Sequence, residues 1–155
     1  MWGRIREWTG PCWNSEQTSQ QVYAIKISKV FRAQLRALDL SENVSILKND
    51  ARKLKGEIGD NSIDKLLGVN LVYFLAPLNV YLNKFFRILK SGGMAIFVCK
   101  FEKIQGFYDT MAPNRSEAAV IEALIWSGFE ATSNPIDLGD TNSRYIAIKF
   151  YKPLL

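Results

Sequence analysis

Residues 63–98 read IDKLLGVNLVYFLAPLNVYLNKFFRILKSGGMAIFV, and the change of hydrophobic period inside this stretch decides the fold. Ile63 to Val69 is a short run rich in branched apolar residues, the pattern of a buried strand. Pro77 then opens a helix, because its fixed φ suits a first turn whose N–H groups have no partner within the helix. Leu78, Tyr81, Leu82, Phe85, Phe86, Ile88 and Leu89 fall at helical spacing and make one broad apolar face. Ser91-Gly92-Gly93 is expected to stop that helix, since glycine takes the left-handed conformation of a C-cap without steric cost. Met94 to Phe101 follows as a strand almost continuous in apolar residues, as a central strand covered on both faces requires, and Lys100 is where it surfaces. Strand, helix and strand in this order predict parallel pairing through a right-handed crossover.

The same alternation extends in both directions. Upstream, VYAIKIS at residues 22–28 is β-branched and aromatic, and Val30, Phe31, Leu35 and Leu38 then recur at helical spacing beside Lys29, Arg32 and Arg36. Val44 to Leu47 forms a second short strand that ends at Asn49-Asp50, and the polar, basic residues after it run to the turn formers Gly59-Asp60-Asn61-Ser62. Downstream, Asn114 with Glu117 resembles a capping box for a helix through Trp126, which Gly128 ends. Phe129 to Ile136 and Arg144 to Tyr151 read as a closing antiparallel pair across the turn-rich Gly139-Asp140-Thr141-Asn142-Ser143. Residues 1–21 hold Trp2, Trp8 and Trp13 without either period, so the expected organisation is an irregular leader over 1–21 and one α/β domain over 22–155. Open α/β sheets bind ligands outside the carboxyl ends of their strands. The places to search are therefore Lys26 to Ser28, Asn49 to Ala51, Asn70 to Phe74 and Lys100 to Lys103.

Composition narrows the chemistry. A chain of 155 residues, 48% hydrophobic and 23% charged, suits one globular domain with a real core and not a disordered segment. The net charge of +5 is dispersed. Its densest group, Lys48, Arg52, Lys53 and Lys55, reads as a solvated face and not as a nucleic-acid stripe, so nucleic acid is not an expected partner. There is no histidine, which excludes Ser-His-Asp and Cys-His catalysis and histidine-containing zinc sites. No apolar run reaches the roughly 18 residues of a membrane span, and the leader lacks the apolar core of a secretory signal. Cys12 and Cys99 do not make a disulfide framework, which points to a reducing, intracellular compartment, the cytoplasm by default. Cys99 lies inside an apolar strand pattern and reads as an inert buried thiol.

Three pieces in order carry a family resemblance: Asn49-Asp50-Ala51 at a strand end, Asp60-Asn61-Ser62-Ile63-Asp64 leading into the next strand, and Arg87-Ile88-Leu89-Lys90-Ser91-Gly92-Gly93 leading out of a helix. Their order and spacing resemble the S-adenosylmethionine-dependent methyltransferases, of the small-molecule type found in quinone biosynthesis, from Val22 to Tyr151. The resemblance implies a three-layer, Rossmann-like α/β fold whose mostly parallel sheet closes with an antiparallel C-terminal strand pair. It implies S-adenosylmethionine as cofactor and a small molecule as methyl acceptor. It further implies that Asp50 accepts a hydrogen bond from the adenine amino group, that Ala51 lines the adenine pocket, that Ile27 packs on the adenine ring, and that Asn70 lies beside the methionine part. Tyr73 and Tyr108 are the candidate acceptor-side residues, and no catalytic base is implied. Some have a plainer reading: Asp50 as a helix N-cap, Asn70 as a turn residue, Tyr73, like its neighbour Phe74, as core.

The chain departs from the family pattern twice. Where the family has a first strand and a G-x-G-x-G loop, residues 1–21 offer Trp8-Thr9-Gly10-Pro11-Cys12, a single glycine followed by proline. Where the family has a carboxylate for the two ribose hydroxyls, this chain has Lys26, whose ammonium donates but cannot accept. The missing strand would lie between those at 22–28 and 63–69, so the chain is expected to be a degenerate or N-terminally incomplete relative: the leader fills that place, the two strands pair directly, or the sequence is a shortened product of a longer form. Two functions are thus expected: a methyltransferase, or a methyltransferase-fold scaffold that has lost its cofactor and binds another protein. A basic nucleic-acid module built on the leader tryptophans lacks any compact basic-aromatic motif.

Overall fold

The computed structural model describes residues 21–38, 40, 42–137 and 144–154. The leader, with Trp2, Trp8, Trp13 and Cys12, and the turn at 139–143 lie outside the described residues. The chain divides into two compact units, Met1–Asp50 and Ala51–Leu155.

In the first unit, β1 (Val22–Ile25) pairs in parallel with β2 (Val44–Leu47), in register from Val22 opposite Val44 to Ile25 opposite Leu47. Between them runs α1 (Lys29–Arg36), whose N-cap Ser28 accepts a hydrogen bond from the Phe31 N–H and so satisfies one of the donors a helix start leaves over. β1 is shorter than the expected 22–28. The backbone of Lys26 and Ile27 leaves the strand, and their carbonyls accept hydrogen bonds from the Arg32 guanidinium, at 2.8 Å for Lys26.

The second unit holds a four-stranded sheet in the order β3-β4-β6-β5. β3 (Ile63–Val69) is parallel to β4 (Leu89–Cys99), and β4 and β5 (Glu130–Ile136) both run antiparallel to β6 (Tyr145–Tyr151). The expected mixture of parallel pairing with an antiparallel C-terminal pair is therefore present. Among the described residues β1 is paired with β2 and β3 with β4, each within its own unit. α2 (Leu78–Ile88) connects β3 to β4, and α3 (Glu117–Trp126) precedes β5.

The core follows from the apolar stripe of α2. Tyr81, Leu82, Phe85 and Ile88 are buried on one face. A chain of aromatic contacts then links helix to sheet: Phe85 to Phe97 at 6.2 Å between ring centroids, Phe97 to Phe150 at 4.9 Å, Phe150 to Phe129 at 5.0 Å and Phe129 to Phe86 at 5.1 Å. These spacings are those at which edge-to-face and tilted rings attract beyond their area burial. Lys152, only 5% exposed, closes one end of this core. Its ammonium donates to Asn61 Oδ1 at 2.6 Å and to the carbonyls of Phe86 at 2.8 Å and Leu89 at 3.0 Å, groups at the carboxyl end of α2 where a cation is favoured.

Two local expectations are corrected. α2 ends at Ile88, and its cap Leu89 already has extended dihedrals, so the helix passes straight into β4 without a glycine cap. Gly92 does take a left-handed φ of 75°, but within β4, where the pairing with β3 slips between Ile63 and Lys65. The strand accordingly begins at Leu89 and ends at Cys99, with Phe101 in a 3-10 turn, Phe101–Ile104. For α3 the N-cap is Ser116, whose hydroxyl accepts from the Ala119 N–H at 3.3 Å. Asn114 instead donates through its carboxamide to the carbonyls of Val72 at 2.8 Å and Leu75 at 2.7 Å. Gly128 ends α3 as expected, with φ 90° and the paired bonds from Phe129 N–H to the Leu124 carbonyl and from Gly128 N–H to the Ile125 carbonyl.

Candidate functional site

The carboxyl ends of the strands carry the residues of interest. In the first unit, Lys26 and Ile27 follow β1. The Lys26 ammonium stands 5.7 Å from the centre of the Phe31 ring, within cation–π range, and Ile27 is 64% exposed. Asp50 follows β2, half-buried at the end of this unit.

In the second unit, Ala51 begins a 3-10 turn, Ala51–Lys53, and is half-buried. Asn70 follows β3. Its backbone is left-handed at φ 48°, a conformation that asparagine tolerates better than most residues, and its N–H donates to the Val98 carbonyl of β4 at 2.8 Å. Its side chain is exposed. Three residues on, in the 3-10 turn Val72–Phe74, Tyr73 is 1% exposed, with its hydroxyl 3.1 Å from Asn70 Oδ1 and hydrogen-bonded by the Lys100 N–H at the end of β4. The structure thus brings Asn70 and Tyr73 together.

Burial pushes the Tyr73 phenol above its usual pKa, the Lys100 N–H pulling part of the way back. Burial likewise pushes the Cys99 thiol up to about 12, with the neighbouring Tyr73 hydroxyl offsetting some of the rise. Neither group ionises near neutral pH, so neither supplies a nucleophile or a base there.

Tyr108 is 78% exposed and lies apart from that pair, in an open cleft of about 400 Å³ shared with Phe107, Asp109, Thr110 and Arg115. Arg115 pairs with Asp109 and donates to the carbonyls of Gln105 and Phe107, which fixes the loop that carries Tyr108. Phe74, 47% exposed, faces Phe107 at 6.5 Å between centroids. Sequence reasoning did not single out Phe107 or Arg115; the pairing of Arg115 with an acid six positions earlier was the available signal. Among the described residues no three potential metal ligands cluster, and no helix is long and apolar enough to cross a membrane.

The sequence pattern of a family described as a methyltransferase domain matches residues 9–97. The chain belongs to that family. The match starts inside residues 1–21, further upstream than the resemblance read from Val22. Solved structures share the fold at low identity. An S-adenosylmethionine-dependent methyltransferase from Mesorhizobium loti superposes with a TM-score of 0.70 at 15% identity, over 96% of this chain and 86% of its own. A chain from the Haloferax volcanii complex that contains the Trm112 methyltransferase activator gives 0.68 at 16% identity, over 86% and 72%. The [4+2]-cyclase SpnF gives 0.67 at 16%, over 90% and 68%. No curated protein sequence matches the chain.

S-adenosylmethionine is the cofactor that this membership implies. The methyltransferase-domain residues fit it unevenly. An exposed carboxamide held at the end of β3 suits a polar end of such a ligand, and an aspartate after β2 suits an amino group. At the end of β1, Lys26 brings a cation and no acceptor for ribose hydroxyls.

Proposed function

We propose that this methyltransferase-family chain binds S-adenosylmethionine and transfers its methyl group to a small-molecule acceptor. The observation that carries the proposal is the built end of β3, where Asn70 is exposed, left-handed and hydrogen-bonded by Tyr73, in a chain whose family match runs over residues 9–97. When bound, the cofactor supplies a methyl group already activated on a sulfonium, so the protein's work is positioning, and a chain with no histidine can perform it. In this reading Asp50 and Ala51 serve the adenine, Ile27 packs on it, Asn70 serves the methionine end and Tyr108 belongs to the acceptor side, whereas Tyr73, placed there by the family resemblance, is 1% exposed and acts only through Asn70. Residues 22–155 act as one functional domain, in the cytoplasm, where the buried free thiol of Cys99 stays reduced.

A second reading is favoured by one observation, the lysine at the end of β1. A cation there repels a sulfonium and leaves ribose hydroxyls without an acceptor, as expected of a scaffold that has kept the fold and binds a protein partner. A fold relative at 16% identity, solved in a complex with a methyltransferase activator, supports a protein partner by analogy.

Calorimetric titration with S-adenosylmethionine and S-adenosylhomocysteine separates the two. Micromolar binding that an Asp50→Ala variant loses supports the enzyme. No heat at millimolar ligand, from a chain that circular dichroism shows to be folded, leaves the scaffold.

A further inference from the structure

We infer that Tyr73 is a positioning residue: it fixes the Asn70 carboxamide so that the amino group, and not the oxygen, faces the ligand. The end of β3 then offers a hydrogen-bond donor to the carboxylate of the cofactor's amino-acid tail. The inference rests on the reading that an S-adenosyl ligand occupies this strand end.

The argument is one of donors and acceptors. A phenol has a single proton to give and lone pairs to accept with. The Lys100 N–H can only donate, so at that contact Tyr73 Oη accepts. Its own proton is then free for Asn70 Oδ1, 3.1 Å away, and the neighbouring Cys99 sulfur is the weaker acceptor. A terminal carboxamide torsion is broad and two-fold, so an exposed asparagine ordinarily presents either end. Holding Oδ1 removes that choice and leaves Nδ2 to the other side.

The clamp is itself rigid. The Tyr73 ring is held edge-on against Phe74, at 5.7 Å and 86°, and against Phe101, at 5.4 Å and 79°. The turn that carries it is tied down by Asn114, through Val72 and Leu75 and by its N–H to the Tyr73 carbonyl at 3.3 Å. Segments after β3 and after β4 therefore meet at one phenol that has almost no surface of its own, in a turn whose backbone is held by the segment before α3. A donor directed this way suits an anionic oxygen and disfavours an ammonium.

The test is a ratio of affinities measured by calorimetry on the full chain, with S-adenosylhomocysteine and with 5′-methylthioadenosine, which lacks the amino-acid tail. Tyr73→Phe and Asn70→Ala are each expected to weaken S-adenosylhomocysteine about tenfold, the effect of one hydrogen bond to a charged group, and to leave 5′-methylthioadenosine within about twofold. Asn70→Asp keeps the Tyr73 bond but turns an acceptor toward the ligand, so it should weaken S-adenosylhomocysteine more than alanine does. That exposed substitution keeps the test valid should Tyr73→Phe fail to fold. If both ligands weaken together, or neither does, Tyr73 is only structural and the inference is overturned. A parent chain that binds neither ligand overturns the cofactor reading, and the inference with it.

Discussion

β1 with β2 and β3 with β4 are both parallel strand pairs joined through a helix, yet they are stabilised differently. All eight residues of β1 and β2 are half-buried, and α1 has no buried residue. Every buried apolar side chain among the described residues lies from Leu54 onward, and β4 alone contributes Leu89, Ala95, Phe97, Val98 and Cys99. The first pair rests on local devices: the Ser28 cap and the Arg32 guanidinium on the carbonyls of Lys26 and Ile27. The second rests on long-range packing. Among the described residues the same grammar of strand, helix and strand therefore yields a packed core from Leu54 onward and a lightly buried pair before it. Of the residues that the family resemblance assigns to adenine and ribose, Asp50, Ile27 and Lys26 lie in the lighter unit and Ala51 begins the other.

The sharpest way to break this contrast is Phe97→Ala. The ring is fully buried between Phe85 and Phe150, so its loss should cost about 3–5 kcal/mol in urea unfolding. A loss below about 1 kcal/mol would mean that the core does not hold the larger unit.

An intermediate effect should appear in alkali. The Cys99 thiol is raised by burial from 9.0 to about 12, so it stays neutral in the folded chain while the unfolded chain ionises. Its contribution to stability is full below pH 9.0 and is lost as pH climbs toward about 12. Urea midpoints should fall over that window, and Cys99→Ala should flatten part of the fall. The rest belongs to Tyr73, whose phenol is raised for the same reason. A profile identical with and without the thiol would contradict its burial.

The smallest effect is expected in the lighter unit. Ser28→Ala removes a cap from a helix with no buried residue and should cost about 0.5–1 kcal/mol, read as lost helicity by circular dichroism. A loss as large as that of Phe97→Ala would erase the distinction between the units.

The fold was largely legible because its signals are periodic. Ile63 to Val69, the stripe from Leu78 to Leu89 and the run at Met94 each declare an element within a dozen residues. What was misread depended on partners far along the chain. Gly92 has the conformation expected of a cap but serves a slip in the pairing of β3 and β4, and its N–H donates to the Lys152 carbonyl at 2.8 Å. Asn114 sits two residues before the true cap, and its carboxamide is claimed by Val72 and Leu75, which no local pattern reveals. The site follows the same rule. Asn70 is visible as a strand-end polar residue, whereas the contact that orders it comes through Tyr73 from a backbone N–H at Lys100.

Lys152 and the strand before it bear on the order of synthesis. β6 lies between β4 and β5, and Lys152 ties it to Asn61 and the end of α2. On the ribosome, β4 emerges early with one side of its ladder unmet, and β5 emerges with no neighbour to join. Only when residue 152 has cleared the exit tunnel can the sheet close and the ammonium find its three oxygens. Until then an apolar strand edge is exposed, so a stalled or shortened product is the form most prone to aggregate and the one a chaperone would need to shield.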